Sequence, residues 1–539
     1  MSHNRIPFPE KLRSYLKASY PLLWVKTHEE SRVVKEIIGA FENTKTPILI
    51  HAWDAQQDLL KYKREGNTWE KVTGDTKVMN VVTHCRKLGS NNERCVVIMK
   101  DFHPYIEAPG QIRNIRNAIE DFKARGNMLI FVSPIIKIPV ELEKEIQIVD
   151  FSLPGDEHLN QVLESVINTV KKKCPTDAEK SMITPEVRTA SVEASKGMTH
   201  SEAHDAFSLA IVENQLFNNN FTLSVFEEKV KQVKKNGLLQ YIKPDVSFDS
   251  VGGLDGLKKW IRTRSKAYTQ AARDYNLPYP KGILLCGIPG CGKTLLAKST
   301  ANEFGFPLFQ LDVGALFGKH VGETEENFRR VIEMVDGIGR CILFVDEIEK
   351  ALNKDAVSGK GDTGTSSRSF GSLLTWLSEH KSPVFVIGTS NDHTRLPTEF
   401  TRKGRFDELF WIDLPSEAER KEIFNVLLKR YGWDTDKVKL KVDELAAEAD
   451  QFTGAEIENV IISAMFDRFG KDGKPITTQN LVDEILATTP LAKMNAADLD
   501  NMRKNAEGKL RVATSSGLVK GLEAKASDGS RKLEVGKDL

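Results

Sequence analysis

Eight consecutive residues, Gly287-Ile288-Pro289-Gly290-Cys291-Gly292-Lys293-Thr294, constrain this chain more than any other feature. They satisfy every fixed position of GxxxxGK[ST], a pattern that means a phosphate site only where it joins a strand to a helix. The flanks meet that condition. Gly282 to Cys286 (GILLC) reads as a short buried strand, and Thr294 to Phe304 (TLLAKSTANEF) spaces its apolar residues for a helix. Glycines let the backbone curl until its N–H groups and the helix start face an anion. Lys293 can then reach the β and γ phosphates, and Thr294 can ligate magnesium.

Two further strands end in polar residues that suit such a site. Cys341 to Val345 runs into Asp346-Glu347, which places two carboxylates at the carboxyl end of a buried strand, where open α/β sheets bind ligands. Asp346 is expected to hold magnesium through water, and Glu347 to orient or deprotonate the water that attacks the γ phosphate. Val384 to Gly388 ends in Thr389-Ser390-Asn391, with Asn391 at a terminus that should face the γ phosphate. A compact basic turn follows, Arg402-Lys403-Gly404-Arg405-Phe406-Asp407. Arginines lent by a neighbouring subunit stabilise the charge that spreads over a transferred phosphoryl group, so this turn is a candidate for that role.

Together with Val251-Gly252-Gly253-Leu254 and Lys319-His320-Val321-Gly322-Glu323-Thr324-Glu325, these segments resemble the AAA family of ATPases in family order, over roughly residues 246 to 487. The runs Ser366 to Glu379 (SSRSFGSLLTWLSE) and Arg402 to Pro415 (RKGRFDELFWIDLP) resemble more narrowly a group of chloroplast-encoded and cyanobacterial proteins known as hypothetical chloroplast open reading frames. The resemblance implies an α/β P-loop NTPase fold, a parallel sheet flanked by helices and followed by a helical lid, with ATP and Mg2+ as nucleotide and cofactor. It implies that Gly287 to Thr294 bind phosphate, that Asp346 and Glu347 are the Walker B pair, and that Asn391 is the first sensor. Arg402 and Arg405 would be fingers reaching a neighbour's nucleotide in a homo-oligomeric ring, usually a hexamer. Val251 and Gly252, with Gly454 and Ala455 in the lid, would clasp adenine.

One departure bears on function. Ring members that thread a protein carry an aromatic residue in the loop before Gly-Glu, and here Lys319-His320-Val321 occupies that place. A histidine stacks and hydrogen-bonds but grips apolar side chains less well. Two roles stay open: a ring that remodels or regulates a protein partner, and an ATP-gated assembly switch or scaffold that threads nothing.

The first half repeats the element order. Leu22 to Val25 parallels the strand before the phosphate loop, Cys95 to Met99 parallels CILFV, and Met128 to Val132 parallels VFVIG. Glu145 to Pro154 parallels Leu409 to Pro415, and Lys196 to Thr199 parallels Gln451 to Gly454, so an internal duplication is expected. The chemistry is absent from this copy. Lys26-Thr27-His28-Glu29-Glu30-Ser31-Arg32 stands where the phosphate loop should be, with no glycine and with two carboxylates that repel a triphosphate. Lys100-Asp101 replaces the acidic pair. His28-Glu29-Glu30 is not a metallopeptidase motif, because Arg32 stands where HExxH needs its second histidine.

Composition closes off other classes. Lys and Arg number 76 against 75 Asp and Glu, so no bulk field draws the chain to nucleic acid or anionic lipid. No apolar stretch approaches the roughly 20 residues of a membrane helix. The start of the chain, charged and proline-bearing, has no apolar signal core, and none of the six cysteines forms a CxxC pair. A cytoplasmic protein is expected, or a stromal one if a plastid encodes it. The expected segments are a degenerate AAA-like domain over 1–235, a linker over 236–247, an ATPase large subdomain over 248–415, a helical lid over 416–487 and a C-terminal extension over 488–539 that is largely disordered at its end.

Overall fold

Apolar runs without polar alternation, such as Leu22 to Val25 and Cys341 to Val345, are buried on both faces, as strands of a parallel sheet covered by helices on each side must be. The computed structural model describes residues 6–514 except 43, 45–46, 89–92, 174–181, 236, 317–320, 350–372, 397–399, 401, 403, 434–438 and 472, with backbone alone at 321–323 and 325. Contacts divide the chain into two units, Met1–Thr222 and Leu223–Leu539.

The first unit holds β1 (Leu22–Lys26), β2 (Ile48–Asp54), β3 (Asp58–Lys63), β4 (Thr68–Lys71), β5 (Arg94–Lys100), β6 (Met128–Ser133) and β7 (Ile146–Asp150), in the sheet order β4-β3-β2-β5-β6-β1-β7. The five strands from β2 to β7 in that order are parallel, and β3 and β4 extend the β2 edge as antiparallel strands. The second unit holds β8 (Leu239–Ile242), β9 (Gly282–Gly287), β10 (Leu308–Leu311), β11 (Cys341–Val345), β12 (Val384–Ser390), β13 (Glu408–Ile412) and β14 (Arg511–Val512), in the order β14-β13-β9-β12-β11-β10-β8. Its five strands from β10 to β13 are parallel, β8 pairs antiparallel with β10, and β14 pairs parallel with β13.

Matched in chain order, β1, β2, β5, β6 and β7 occupy the places of β9, β10, β11, β12 and β13. The two units are therefore two copies of one α/β fold. In each, the first core strand lies between the last two: Val25 pairs with Val132 and Val149, and Leu285 with Thr389 and Phe410. The loop leaving that strand thus opens at the crevice where such sheets bind ligands.

Successive residues feed opposite faces. Ile283 and Leu285 join one core with Leu296 and Phe344, while Leu284 and Cys286 join the other with Leu343 and Val386. In the first unit Leu22 and Trp24 part from Leu23 and Val25 in the same way. Helices complete both copies. In the second unit Glu417–Arg430, Val442–Glu448, Gly454–Lys471 and Thr478–Ala487 bury Phe424, Leu428, Leu445, Ile457 and Leu481 together.

The lid resemblance between the copies extends to a cap. Thr199 and Glu202 form a reciprocal capping box at the start of the helix His200–Asn214. Thr453 and Glu456 do the same before Gly454–Lys471, with Glu456 accepting from the Thr453 N–H at 2.7 Å and the Thr453 hydroxyl accepting from the Glu456 N–H at 3.3 Å. Each box satisfies two N–H groups that a helix start leaves unpaired.

Three segments bear on where the expected divisions fall. The contact division falls inside the helix Asn219–Lys235, because Val233 near its end packs with Leu238 and Leu239 in the second unit's core. The segment expected as a linker supplies the edge strand β8. The C-terminal extension folds through two helices and β14 as far as Thr514, and its end, where disorder is expected, lies outside the described residues at 515–539.

His51 lies on β2 with 3% exposure, its Nδ1 3.2 Å from the Cys95 sulfur. Burial, reinforced by the charge of Lys61, lowers its pKa to about 4. The unfolded chain binds this proton near pH 6.5 and the folded chain does not, so stability from His51 is present above pH 6.5 and is lost as pH falls towards 4. From pH 7 to pH 5 the expected loss is about 2 kcal/mol. Protection factors of the β5 amides, corrected for the pH dependence of intrinsic exchange, should fall over that interval, and His51→Gln should shrink the fall; an equal fall in both proteins contradicts it.

Candidate functional site

Gly287 ends β9 with φ +147°, and a Cβ there would stand 2.0 Å from the carbonyl oxygen of Ile412. Only glycine lets the chain lie so close to β13 at this φ, and the Ile288 N–H then donates to that same Ile412 oxygen at 3.1 Å. The loop continues through Gly290 (φ +80°), whose absent Cβ would lie 3.0 Å from the Thr453 hydroxyl and 3.3 Å from the Ala455 Cβ. The Ala455 N–H donates to the Gly290 carbonyl at 3.1 Å, so the lid helix rests directly on the loop.

Lys293 opens the helix Lys293–Phe304 and is 8% exposed. Its ammonium donates to the carbonyls of Gly287 at 2.7 Å and Ile288 at 3.1 Å. Burial lowers its pKa, partly offset by the neighbouring Cys291 and Cys286 sulfurs and by Glu349 and Asp346. A buried ammonium held by carbonyl dipoles at the rim of a cavity is a cation placed for an anion. That is the observation a nucleotide phosphate fits.

The acidic pair is fixed by one hydroxyl. Thr389, fully buried on β12, donates to Asp346 Oδ1 at 2.6 Å and accepts from the Glu347 N–H at 2.8 Å. Glu347 has φ +49°, a left-handed conformation costly for a side chain of this kind, and the Thr389 bond holds it there. Asn391 Nδ2 donates to Glu347 Oε1 at 2.8 Å, while the Asn391 N–H donates to Glu349 at 2.9 Å. Thr389 and Glu349 stand inside segments that carry the family resemblance, but sequence reasoning assigns neither of them a role.

A cavity of about 420 Å³ collects most of the expected residues. Pro289 through Thr294, Asp346, Glu347 and Asn391 line it, as do Val251, Gly252, Gly454 and Ala455. Gly287 and Ile288 do not line it; they act through the carbonyls that hold Lys293. Gly252 is pressed against the lid, where a Cβ would meet Ile423 at 2.7 Å. The Gly253 and Leu254 N–H groups donate to Glu422 and Glu419 of the same lid helix at 2.8 and 3.1 Å. Arg402 is exposed and Arg405 half-buried, and neither is among the cavity's lining residues. Lys319 and His320 lie outside the described residues, and of Val321 only the start of the helix Val321–Ile338 is described.

The corresponding place in the first unit is closed by its own side chains. Glu29, 8% exposed, accepts from the His200 N–H at 2.6 Å and pairs with Arg32, which stacks on Phe151. Burial raises the Glu29 pKa against the opposing pull of the His200 N–H and Arg32. Lys100, in the position of Asp346, pairs with Glu30 at 2.9 Å. Asp101, in the position of Glu347, keeps the left-handed backbone at φ +46°, and its N–H donates to the Val132 carbonyl at 2.9 Å.

The comparisons with known proteins agree with this geometry. Residues 283–414 match the ATPase family associated with various cellular activities (AAA). Residues 8–151 match the SpoVK-like AAA ATPase N-terminal domain, and 157–236 the second domain of such proteins. The chain is similar to the uncharacterized AAA domain-containing protein ycf46 of Guillardia theta, 32% identical with 94% of this chain and 96% of that protein covered. The protein of the same name from Trieres chinensis is 31% identical over 94% of this chain and 98% of its own length. A cell division cycle protein 48 homolog from Archaeoglobus fulgidus is 27% identical over 64% of this chain and 49% of that protein.

Thr389→Val removes both hydrogen bonds at the acidic pair and leaves buried partners unsatisfied, at a cost of about 1–3 kcal/mol. Steady-state ATP turnover should fall at least about tenfold while nucleotide affinity changes little. Turnover equal to that of the unaltered protein would show that the hydroxyl does not position the pair.

Proposed function

The chain belongs to the AAA ATPase family and is an ATP-hydrolysing enzyme, and from that premise we propose that the cavity of the second unit is its single ATP site. The observation that carries this reading is Lys293, a buried ammonium parked on two loop carbonyls, with Glu347 held by Asn391 in the same cavity. Lys293 exchanges those carbonyls for β and γ phosphate oxygens, which are the stronger, charge-assisted acceptors. Thr294 and Asp346 are the residues that would hold Mg2+, which when bound neutralises charge on the phosphate oxygens.

Glu347 orients a water for attack on the γ phosphorus and takes its proton as the bond to the β-phosphate oxygen breaks. Asn391 must first release Glu347 Oε1, so this side chain ties the carboxylate's readiness to the ligand. Arg402 and Arg405 serve the nucleotide of a neighbouring copy in a homo-oligomeric ring, a hexamer by the family resemblance. Their absence from the cavity's lining residues supports a role outside their own site. The ring remodels or regulates a protein partner. The first unit, whose equivalent place is filled by Glu29, Arg32 and Lys100, recruits that partner rather than binding nucleotide. No helix among the described residues is long and apolar enough to cross a membrane. On a separate ground, the resemblance to chloroplast-encoded and cyanobacterial proteins, the same reading places the enzyme in the cytoplasm or in the stroma of a plastid that encodes it.

Glu347→Gln should lower turnover by about 10²–10⁴, the usual worth of a general base, while ATP remains bound. Its solution mass should rise from that of one chain to about six on adding ATP and Mg2+, the ring size coming from the resemblance. A monomer under both conditions would remove Arg402 and Arg405 from the mechanism and favour the assembly-independent scaffold.

A further inference from the structure

Beyond the lid the chain returns to the large subdomain instead of leaving it. Ala492, Leu499 and Ala506, from the helices Leu491–Met494 and Ala496–Ala506, enter the core beneath the sheet. Arg511 and Val512 then pair with Phe410 and Trp411 of β13 as β14. Ala513 follows with 1% exposure. Its N–H donates to the Trp411 carbonyl at 3.0 Å, and its carbonyl accepts from the Leu257 N–H at 2.9 Å.

This places the segment against the helix that follows Val251 to Leu254. Gly256 in that helix leaves the room, since a Cβ there would lie 3.0 Å from the Ala513 oxygen. Val512, Ala513 and Thr514 line the same cavity as the phosphate loop, together with Val251 and Leu254. A fixing bond lies close by in the chain. Arg503 forks onto Asp413, just past β13, with Nη2 donating to Oδ1 at 2.8 Å and Nε to Oδ2 at 3.0 Å. The Asp413 side chain is 7% exposed and the Arg503 side chain 22%.

The cavity therefore has an end built from Lys293 and Thr294, suited to phosphate, and a wall of small and aliphatic groups from Val251, Leu254, Val512 and Ala513, suited to the flat face of a purine. Resting on the assignment of this cavity to ATP, we propose that residues 511–514 are a strap forming a wall of the nucleobase subsite. Arg503 is its positioning residue, and strap docking and nucleotide binding stabilise one another. Coupling of this kind is reciprocal: whatever the strap adds to nucleotide affinity, nucleotide adds to docking of the strap. Specificity for a base-bearing ligand over bare phosphate then depends on a segment distant in sequence from the phosphate loop.

The test compares ADP with tripolyphosphate, which offers the phosphates without a base, on the otherwise complete protein. A chain ending at Leu510 should bind ADP at least about tenfold more weakly, through faster dissociation, and tripolyphosphate as before; one ending at Thr514 should match the full chain for both. Arg503→Ala, which keeps every residue of the strap, should weaken ADP selectively in the same direction. ADP should also slow hydrogen exchange at the Leu257 amide, and this slowing should vanish in the chain ending at Leu510. Unchanged ADP affinity in both the shortened chain and Arg503→Ala overturns the proposal, as does an equal loss of ADP and tripolyphosphate. Undiminished binding of both ligands by Lys293→Ala would instead overturn the assignment of the cavity to ATP, a distinguishable failure.

Discussion

The close approach of Gly287, at the end of β9, to the neighbouring parallel strand β13 is the constraint on which the rest of the second unit depends. With 2.0 Å between a hypothetical Gly287 Cβ and the Ile412 oxygen, no other residue allows the chain to turn there. The same distance recurs at the start of the strand, where a Cβ on Gly282 would meet the Val386 oxygen. Two glycines thus bracket a strand whose interior is fully buried, and the second sets the direction of the loop. From that direction follow the start of the helix at Lys293 and the two carbonyls that receive its ammonium. The Gly290 carbonyl then meets the lid.

The two copies show how little of this the sheet itself requires. Strand order, the position of the first strand between the last two, the capping box on the lid helix and the left-handed residue after the acidic strand all persist in the first unit. What differs is which groups satisfy the charges at the crevice. In the second unit a lysine waits on carbonyls and a glutamate on an asparagine amide. In the first, Glu29 caps the backbone of His200 and Lys100 answers Glu30. A site whose charges are already paired within the chain gains little from a charged ligand and would have to break those pairs to admit one.

The phosphate loop and the acidic pair were legible because each is a contiguous motif set by its neighbouring strand, and fully apolar runs located the core strands. Interactions that close over long separations were not legible. Thr389 meets Asp346 and Glu347 from more than 40 residues away, and Arg503 meets Asp413 across 90. Neither partner pair has a local pattern, since a threonine at a strand end and an arginine on a short helix are ordinary residues. The β3–β4 hairpin did have a cue in Gly66-Asn67, both with positive φ, but the charged strands around it lack the apolar alternation that marks a sheet edge. β8 was hidden in the same way by the breakers Gly237 and Pro244 on either side of its short run.

The proposed function gives a duplicated fold one working site. Its most direct test is the number of nucleotides held per chain by the Glu347→Gln protein after incubation with ATP and Mg2+, counted by extraction and chromatography. One per chain is expected at saturation, and none when Lys293→Ala is added. Two per chain, or one that survives the loss of Lys293, would show that the first unit binds nucleotide and would contradict it.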